Sequence, residues 1–344
     1  MNQALKHTQQ AANDRWLAMA QLFANLSILL VLVVILMGGW TRINDAGLSC
    51  PDWPGCFGQL TVPDTQQELA SAADNFPTVA VEQGKSWLEM IHRYLAGCLG
   101  LLILAMAVIA VKQRKHKDYP VKLSITLLML VVFQALLGMW TVTLKLLPII
   151  VTAHLFGGLL TMVLLIIVRR RINQGVKTKY NWSNYSKALA IGLFLLVAQI
   201  LLGGWTSSNY AGWGCSDWLG CNPTVEIDYN YVDAFKVTFD SSVSHQGGTL
   251  QLAERGAIQI VHRIGAAVVL LYFAGLLVFC RKTENSNSLL LLTSLFAAQV
   301  VVGLLNIAFA IPTILAMLHH ILAVAILIMT TVMLANSFHK VVRD

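Results

Sequence analysis

The chain reads as an all-α polytopic membrane protein, with about eight transmembrane helices in two tandem pseudo-symmetric four-helix bundles and both termini inside. Three observations predict this. Hydrophobic residues make up 56% of the sequence and charged residues 12%, too few charges to clothe a water-facing surface. Apolar stretches recur at the roughly 20-residue length that a bilayer demands of a helix. The second half also repeats the first: Gly38-Gly39-Trp40-Thr41, with Cys50, Asp52, Trp53 and Cys56, returns 165 positions later as Gly203-Gly204-Trp205-Thr206, Cys215, Asp217, Trp218 and Cys221. Gln134 and Gln299, Gly138 and Gly303, and His154 and His319 keep that offset, while His92-Arg93 and His262-Arg263 lie five residues further apart. A recurring unit of this kind marks duplicated architecture.

Taken in order, the apolar stretches fall at 18–40, 88–111, 121–144, 149–168, 186–206, 257–280, 288–311 and 313–334. The first is not followed by a small-x-small cleavage site and is needed as the opening helix of the repeat, so it is expected to be retained rather than removed as a signal. The expected divisions are an N-terminal tail over 1–17, a first half over 18–170, a linker over 171–185, a second half over 186–335 and a C-terminal tail over 336–344. Lys112, Arg114, Lys115, Lys117 and Lys122 follow the second helix, Arg169, Arg170, Arg171, Lys177 and Lys179 the fourth, and Arg281 and Lys282 the sixth. The positive-inside rule puts these connections and both tails in the cytoplasm. The long segments 41–87 and 207–256 then face outward, carrying Asp45, Asp52, Asp64, Glu68, Asp74, Glu226, Asp228, Asp233 and Asp240. The net charge of +7 is thus a topology signal, and nothing in it calls for nucleic acid.

Four of the six cysteines lie in those outward segments. In an oxidising compartment Cys50–Cys56 and Cys215–Cys221 are expected to close two small disulfide loops, as structural staples or as redox-active thiols. Neither pair has a histidine at zinc-ligand spacing. Cys98 and Cys280 fall in helices, as small apolar fillers. Trp40, Trp53, Trp205 and Trp218 suit an interfacial aromatic belt.

Within the spans, counting about 1.5 Å per residue puts His92, His154, His262 and His319 roughly 7–11 Å below the outer surface. Each half then offers two opposed imidazoles at one level, which suits bis-histidine ligation of a haem iron on facing helices. Zinc or copper would want Cys, Asp or Glu nearby, and the helices lack them. Arg93 and Arg263 each follow a ligand candidate; they suit haem propionates or simply snorkel to the interface. Gly97, Gly100, Gly157, Gly158 and Gly265 permit close approach of helices or of a macrocycle. Between His319 and its neighbour His320, the 165-residue offset selects His319; on a helix the two point about 100° apart, so only one faces a given haem. His7, His116, His245 and His339 fall in tails or loops and receive no role.

The halves differ at one position with chemical consequence. Glu89 precedes His92 by three residues, one turn nearer the outer surface, whereas Gln259 holds that place before His262. A carboxylate at membrane depth is costly and marks function, although an interfacial acid paired with Lys85 or Arg93 is the plainer alternative. An acid/base in the first half and a neutral amide in the second suggest that the first half performs chemistry while the second holds a permanent cofactor.

The run Gly38-Gly39-Trp40-Thr41-Arg42, the segment Ala46-Gly47-Leu48-Ser49-Cys50-Pro51-Asp52-Trp53-Pro54, Glu89-x-x-His92-Arg93 and the histidines His154, His262 and His319 resemble the haem A synthase family over residues 20 to 335. The resemblance implies oxidation of the C8 methyl of haem O to a formyl group through successive hydroxylations, for cytochrome oxidase. It implies haem b as cofactor on His262 and His319, the substrate haem on His92 and His154, and Glu89 as the acidic residue beside the substrate. Residues 60–85 make the first outer loop longer than these motifs require. With both axial positions taken by histidine, oxygen binding at the substrate iron is disfavoured, so stepwise electron removal, water addition and proton uptake by Glu89 fit better. Implied partners are the lipid bilayer, haem O synthase and an electron acceptor that the sequence does not identify. A bacterial cytoplasmic membrane is the expected location. A dihaem b electron-transfer protein or a membrane thiol-disulfide oxidoreductase are the alternative classes; the first needs no Glu89/Gln259 difference and the second no buried histidines.

Overall fold

A computed structural model describes residues 2–114, 119–174, 180–217, 220–237 and 239–340, without the side chains of 2–14, 174, 180, 181, 339 and 340. Lys115, His116, Lys117, Lys177, Lys179 and Trp218 lie outside the described residues, as do the side chains of His7 and His339.

Lipid offers the backbone no hydrogen-bond partner, so apolar segments of this composition must satisfy their own N–H and C=O groups, and a helix does so residue by residue. Among the described residues, eight helices are long and apolar enough to cross a membrane: Arg15–Ile43, Gln83–Lys112, Val121–Thr143, Pro148–Asn173, Asn184–Ser208, Leu252–Phe279, Ser286–Ala308 and Thr313–Asn336. Each matches one of the eight stretches expected from the sequence. The first belongs to a longer helix, α1 (Asn2–Ile43), so the described part of the N-terminal tail continues the helix instead of leaving it. In order follow α2 (Gln66–Asn75), α3 (Gln83–Lys112), α4 (Val121–Thr143), α5 (Pro148–Gln174), α6 (Asn184–Ser208), α7 (Tyr231–Ala234), α8 (Leu252–Phe279), α9 (Ser286–Ala308) and α10 (Thr313–Asn336). A 3-10 turn at Ala211–Gly214 and two two-residue strands complete the described elements. The strands, β1 (Tyr180–Asn181) and β2 (His339–Lys340), pair antiparallel and bring the residues before α6 to those after α10.

Helix boundaries follow local chemistry. Proline stands just before α4 and α10 and opens α5, where its missing N–H costs nothing. Ser183 caps α6 by accepting the Ser186 N–H at 3.0 Å. α2 fills part of the long first loop and begins with a capping box, Thr65 and Glu68 satisfying each other's backbone N–H groups. The tight α4–α5 and α9–α10 turns both place two successive residues in the left-handed region: Lys145 and Leu146 in one, Ala310 and Ile311 in the other. These pairs lie one repeat apart, so the duplicated turns share backbone geometry.

Packing closes two rings of contacts. α1 meets α3 and α5, and α4 meets α3 and α5; α6 meets α8 and α10, and α9 meets α8 and α10. Between the rings, α5 touches α6 and α10, and α1 touches α10. One buried apolar cluster runs through both sets, from Leu99, Ile103 and Met106 on α3 through Met162 and Leu165 on α5 to Phe273 on α8 and Leu327 on α10. Lipid chains are as apolar as these side chains, so close packing is what holds the helices together. Phe273 stacks on Phe296 with centroids 4.6 Å apart and fills the space that a side chain at Gly192 would need.

Candidate functional site

Each expected disulfide is present. Cys50–Cys56 and Cys215–Cys221 both join residues six apart, and all four cysteines are buried. Cys98 and Cys280 are free; Cys280 is buried with Leu189 and Leu289, but Cys98 is exposed on α3 and fills no core position. Within the first loop, the Asp52 carboxylate accepts the N–H groups of Phe57 at 2.6 Å and Gly58 at 2.8 Å, winding the chain into a tight turn. In the second, Asp217 does the same for Gly220 at 3.0 Å.

Side chains from α3 and α8 seat these loops. Glu89 is buried, accepts the Cys50 N–H at 2.9 Å and forms an ion pair with Arg93. Arg93 Nη1 in turn donates to the carbonyls of Asp52, Pro54 and Gly55. Lys85, the other cation considered for Glu89, pairs with Glu82 at 2.9 Å. One repeat later, Gln259 Nε2 donates to the Gly212 carbonyl at 3.2 Å and Arg263 Nη2 to the Asp217 carbonyl at 2.9 Å. The same clasp is therefore charged in the first half and carries an amide in the second.

Below the first loop, His92 of α3 and His154 of α5 face each other, with ring centroids 6.4 Å apart and planes at 86°. An iron bound by two imidazoles sits roughly 2 Å from each nitrogen, and a ring of about 1.35 Å bonds has its corners about 1.1 Å from its centre. Those lengths set the centroids about 6 Å apart, so this pair already has the separation that a shared iron requires. Every one of the four histidines rests against a glycine on a neighbouring helix. A Cβ at Gly38 would come 2.9 Å from His92 Cε1, at Gly138 3.4 Å from His154, at Gly203 3.2 Å from His262 and at Gly303 3.1 Å from His319. The Nδ1 atoms of His92, His154 and His319 are buried and make no hydrogen bond, whereas His262 Nδ1 lies 3.1 Å from Gln199 Nε2. Each residue as a whole is only half-buried. Among the described residues no three His, Cys, Asp or Glu side chains converge on a metal-sized site, so these imidazoles are offered in pairs. This donor set fits haem iron.

Sequence reasoning had noticed Gly38, Gly138, Gly203 and Gly303 as parts of the repeat without seeing that they cradle the histidines. Of the glycines it proposed for close approach, Gly157 and Gly265 adjoin Gln134 and Gln199, whose amides donate to the backbone carbonyls of His154 and His262, both at 2.9 Å. Gly100 meets only Val131, and a Cβ at Gly97 would meet nothing within 4 Å. His320 turns away from the second half to Gly39 and the Ile35 carbonyl of α1. His245, assigned no role, is buried in the second loop, where its backbone N–H reaches the Lys145 carbonyl at 3.0 Å. Trp205 Nε1 donates to the Ala234 carbonyl at 3.0 Å, fixing it to that loop.

Eight apolar helices among the described residues, the facing His92–His154 pair and two disulfide-closed loops mark a multi-pass helical protein of membrane-spanning composition. The chain belongs to the COX15-CtaA family of cytochrome oxidase assembly proteins, which it matches over residues 21–331. It is 40% identical over 321 residues to the haem A synthase of Shewanella oneidensis, covering 92% of this chain and 96% of that one. It is 26% identical over 330 residues to the haem A synthase of Caulobacter vibrioides, covering 88% and 91% of the two chains. The haem A synthase of Neorickettsia sennetsu is 26% identical over 323 residues, covering 87% and 93%.

Proposed function

We propose that this chain oxidises the C8 methyl of haem O to a formyl group by successive hydroxylations, giving haem A. The observation that carries this reading is the half-buried His92–His154 pair, facing each other beneath a clasped loop at the separation of a shared iron. In net terms the methyl takes one oxygen from water and gives up four electrons and four protons. Haem O binds between His92 and His154, and Glu89, one helical turn towards the loop, receives protons as the methyl is oxidised. This makes the chain an oxidoreductase acting on CH and CH2 groups, with electrons passing to an acceptor still to be identified and haem O synthase as the supplier of substrate.

In the second half, His262 and His319 are assigned to a resident haem b. When bound, that group supplies a one-electron redox centre. Gln259 puts an amide where the first half has the Glu89 carboxylate, in keeping with a site that holds its cofactor permanently. Arg93 and Arg263 are assigned to the propionates of the two haems, sharing their N–H groups with the loop carbonyls they already hold.

The functional halves are 18–170 and 186–335, each a four-helix bundle, a division supported by the two closed rings of helix contacts. Both termini lie in the cytoplasm of a bacterium and the chain spans its inner membrane. Support comes from the basic residues Lys112, Arg114, Arg169, Arg170, Arg281 and Lys282 at one end and the disulfide loops at the other.

Haem extracted from purified protein and separated by chromatography tests the assignment. One haem b together with variable haem O and haem A is expected. Two fixed haems b would point to a dihaem electron carrier, and absence of haem to thiol chemistry at the cysteine pairs.

A further inference from the structure

The repeat pairs His320 with Leu155, and both residues sit where the two rings of helices meet. On α10, the His320 ring lies over Gly39 of α1: a Cβ there would come within 2.5 Å of ring atoms Cδ2 and Nε2. His320 Nε2 lies 3.1 Å from the Ile35 carbonyl. A helical carbonyl retains a second lone pair after its ladder bond, and Gly39, one turn on, has no side chain to cover it. In the opposite sense Leu155 of α5 lies over Gly204 of α6, where a Cβ would come within 2.7 Å of Leu155 Cδ2. Two equivalent contacts thus join the halves, as across a two-fold axis. One is polar and the other apolar.

Each contact borders both proposed iron sites. Gly39 follows Gly38, on which His92 rests, and His320 follows His319, which rests on Gly303. A continuous line therefore runs from His92 through Gly38, Gly39 and His320 to His319. We propose that His320 is a positioning residue coupling the two histidine pairs: by anchoring α10 to the Ile35–Gly39 stretch of α1, it makes the second site sense the state of the first. This rests on the assignment of a haem to His262 and His319.

His320→Leu is a substitution that the fold already accommodates, because Leu155 makes the equivalent contact. The midpoint potential of the second-half haem is measured in the unaltered protein, His92→Ala, His320→Leu and the double variant, so that the cycle isolates the coupling. Perturbing the first site with His92→Ala should change the redox equilibrium of the second at least about fivefold, the low end of usual inter-site coupling, or about 40 mV for a one-electron couple. In the His320→Leu background that change should fall by more than half. His320→Gln, whose amide can donate to the same carbonyl, should restore it. An equal change in both backgrounds, or no change with His92→Ala, overturns the proposal. So does loss of the second-half haem in both His320 variants at unchanged protein level, which would make His320 an iron ligand. Absence of haem from the unaltered protein would instead defeat the haem assignment, and this inference with it.

Discussion

Replacing Glu89 with glutamine gives the first half the residue type of the second, and its effects can be worked from the contacts. The carboxylate accepts the Cys50 N–H at 2.9 Å and pairs with Arg93; the two side chains are only 6% and 12% exposed. An amide keeps an acceptor for Cys50 but offers Arg93 no charge. Stripping one partner from a buried ion pair costs about 3–5 kcal/mol when the remaining charge has nothing else. Arg93 retains three loop carbonyls, so loss of one charge-assisted bond, about 2 kcal/mol, is the better figure. Losing a general base slows a reaction by about 10²–10⁴, or roughly 3–5 kcal/mol of barrier. Glu89→Gln should therefore lower thermal stability modestly, leave haem b in place and cause haem O or its hydroxylated intermediate to accumulate. Changing both Cys50 and Cys56 to serine loosens the same loop without touching the carboxylate, and should reduce conversion less than tenfold. Normal haem A yield from Glu89→Gln at comparable protein level would refute the proton-accepting role. Equal losses in Glu89→Gln and the double serine variant would reduce Glu89 to a loop clasp.

Three further outcomes follow from the same geometry. His262→Ala or His319→Ala should abolish the haem b band in reduced-minus-oxidised spectra, since each removes an axial ligand; an undiminished band in both would exclude that assignment. Gly38→Ala should lower first-half haem content more than Gly138→Ala, because the added Cβ would lie 2.9 Å from the His92 ring in one case and 3.4 Å from the His154 ring in the other; equal haem contents would contradict the cradle. The Asp240 carboxyl is held below its ordinary value of 3.8 by the Ser242 hydroxyl and then by the Ser242 N–H. A depressed folded value means the contribution is complete above the unfolded value and lost as pH falls through the folded one. Protection of amides over 240–248, measured against their intrinsic exchange rates, should therefore fall below about pH 4, and Asp240→Asn should remove that step.

Much of this was legible in the sequence because membrane helices and duplicated motifs leave strong one-dimensional signals. The eight spans, both disulfides and the paired histidines came from apolar run length, cysteine spacing and the 165-residue offset. The helix at Gln66–Asn75 was missed although Thr65 and Glu68 carry the capping-box signature, a signal available within four residues. Contacts between distant segments were not legible. Lys145 Nζ meets the Ser242 carbonyl at 3.0 Å, and Asp45 meets Tyr210 and Gln246; no local pattern specifies which loop folds over which turn. The glycine beneath each histidine falls between these cases: it was visible as a repeat, but its role depends on which helix face packs against which neighbour.

The most direct measurement is conversion itself, in cells that make haem O but no haem A. The chain is expressed there, and the haems extracted from its membranes are separated by chromatography. Haem A with its hydroxylated intermediate is expected from the unaltered sequence, and haem O without haem A from His92→Ala at equal protein level. Haem O alone from the unaltered sequence, with protein abundant and its haem b spectrum complete, would contradict the proposed reaction.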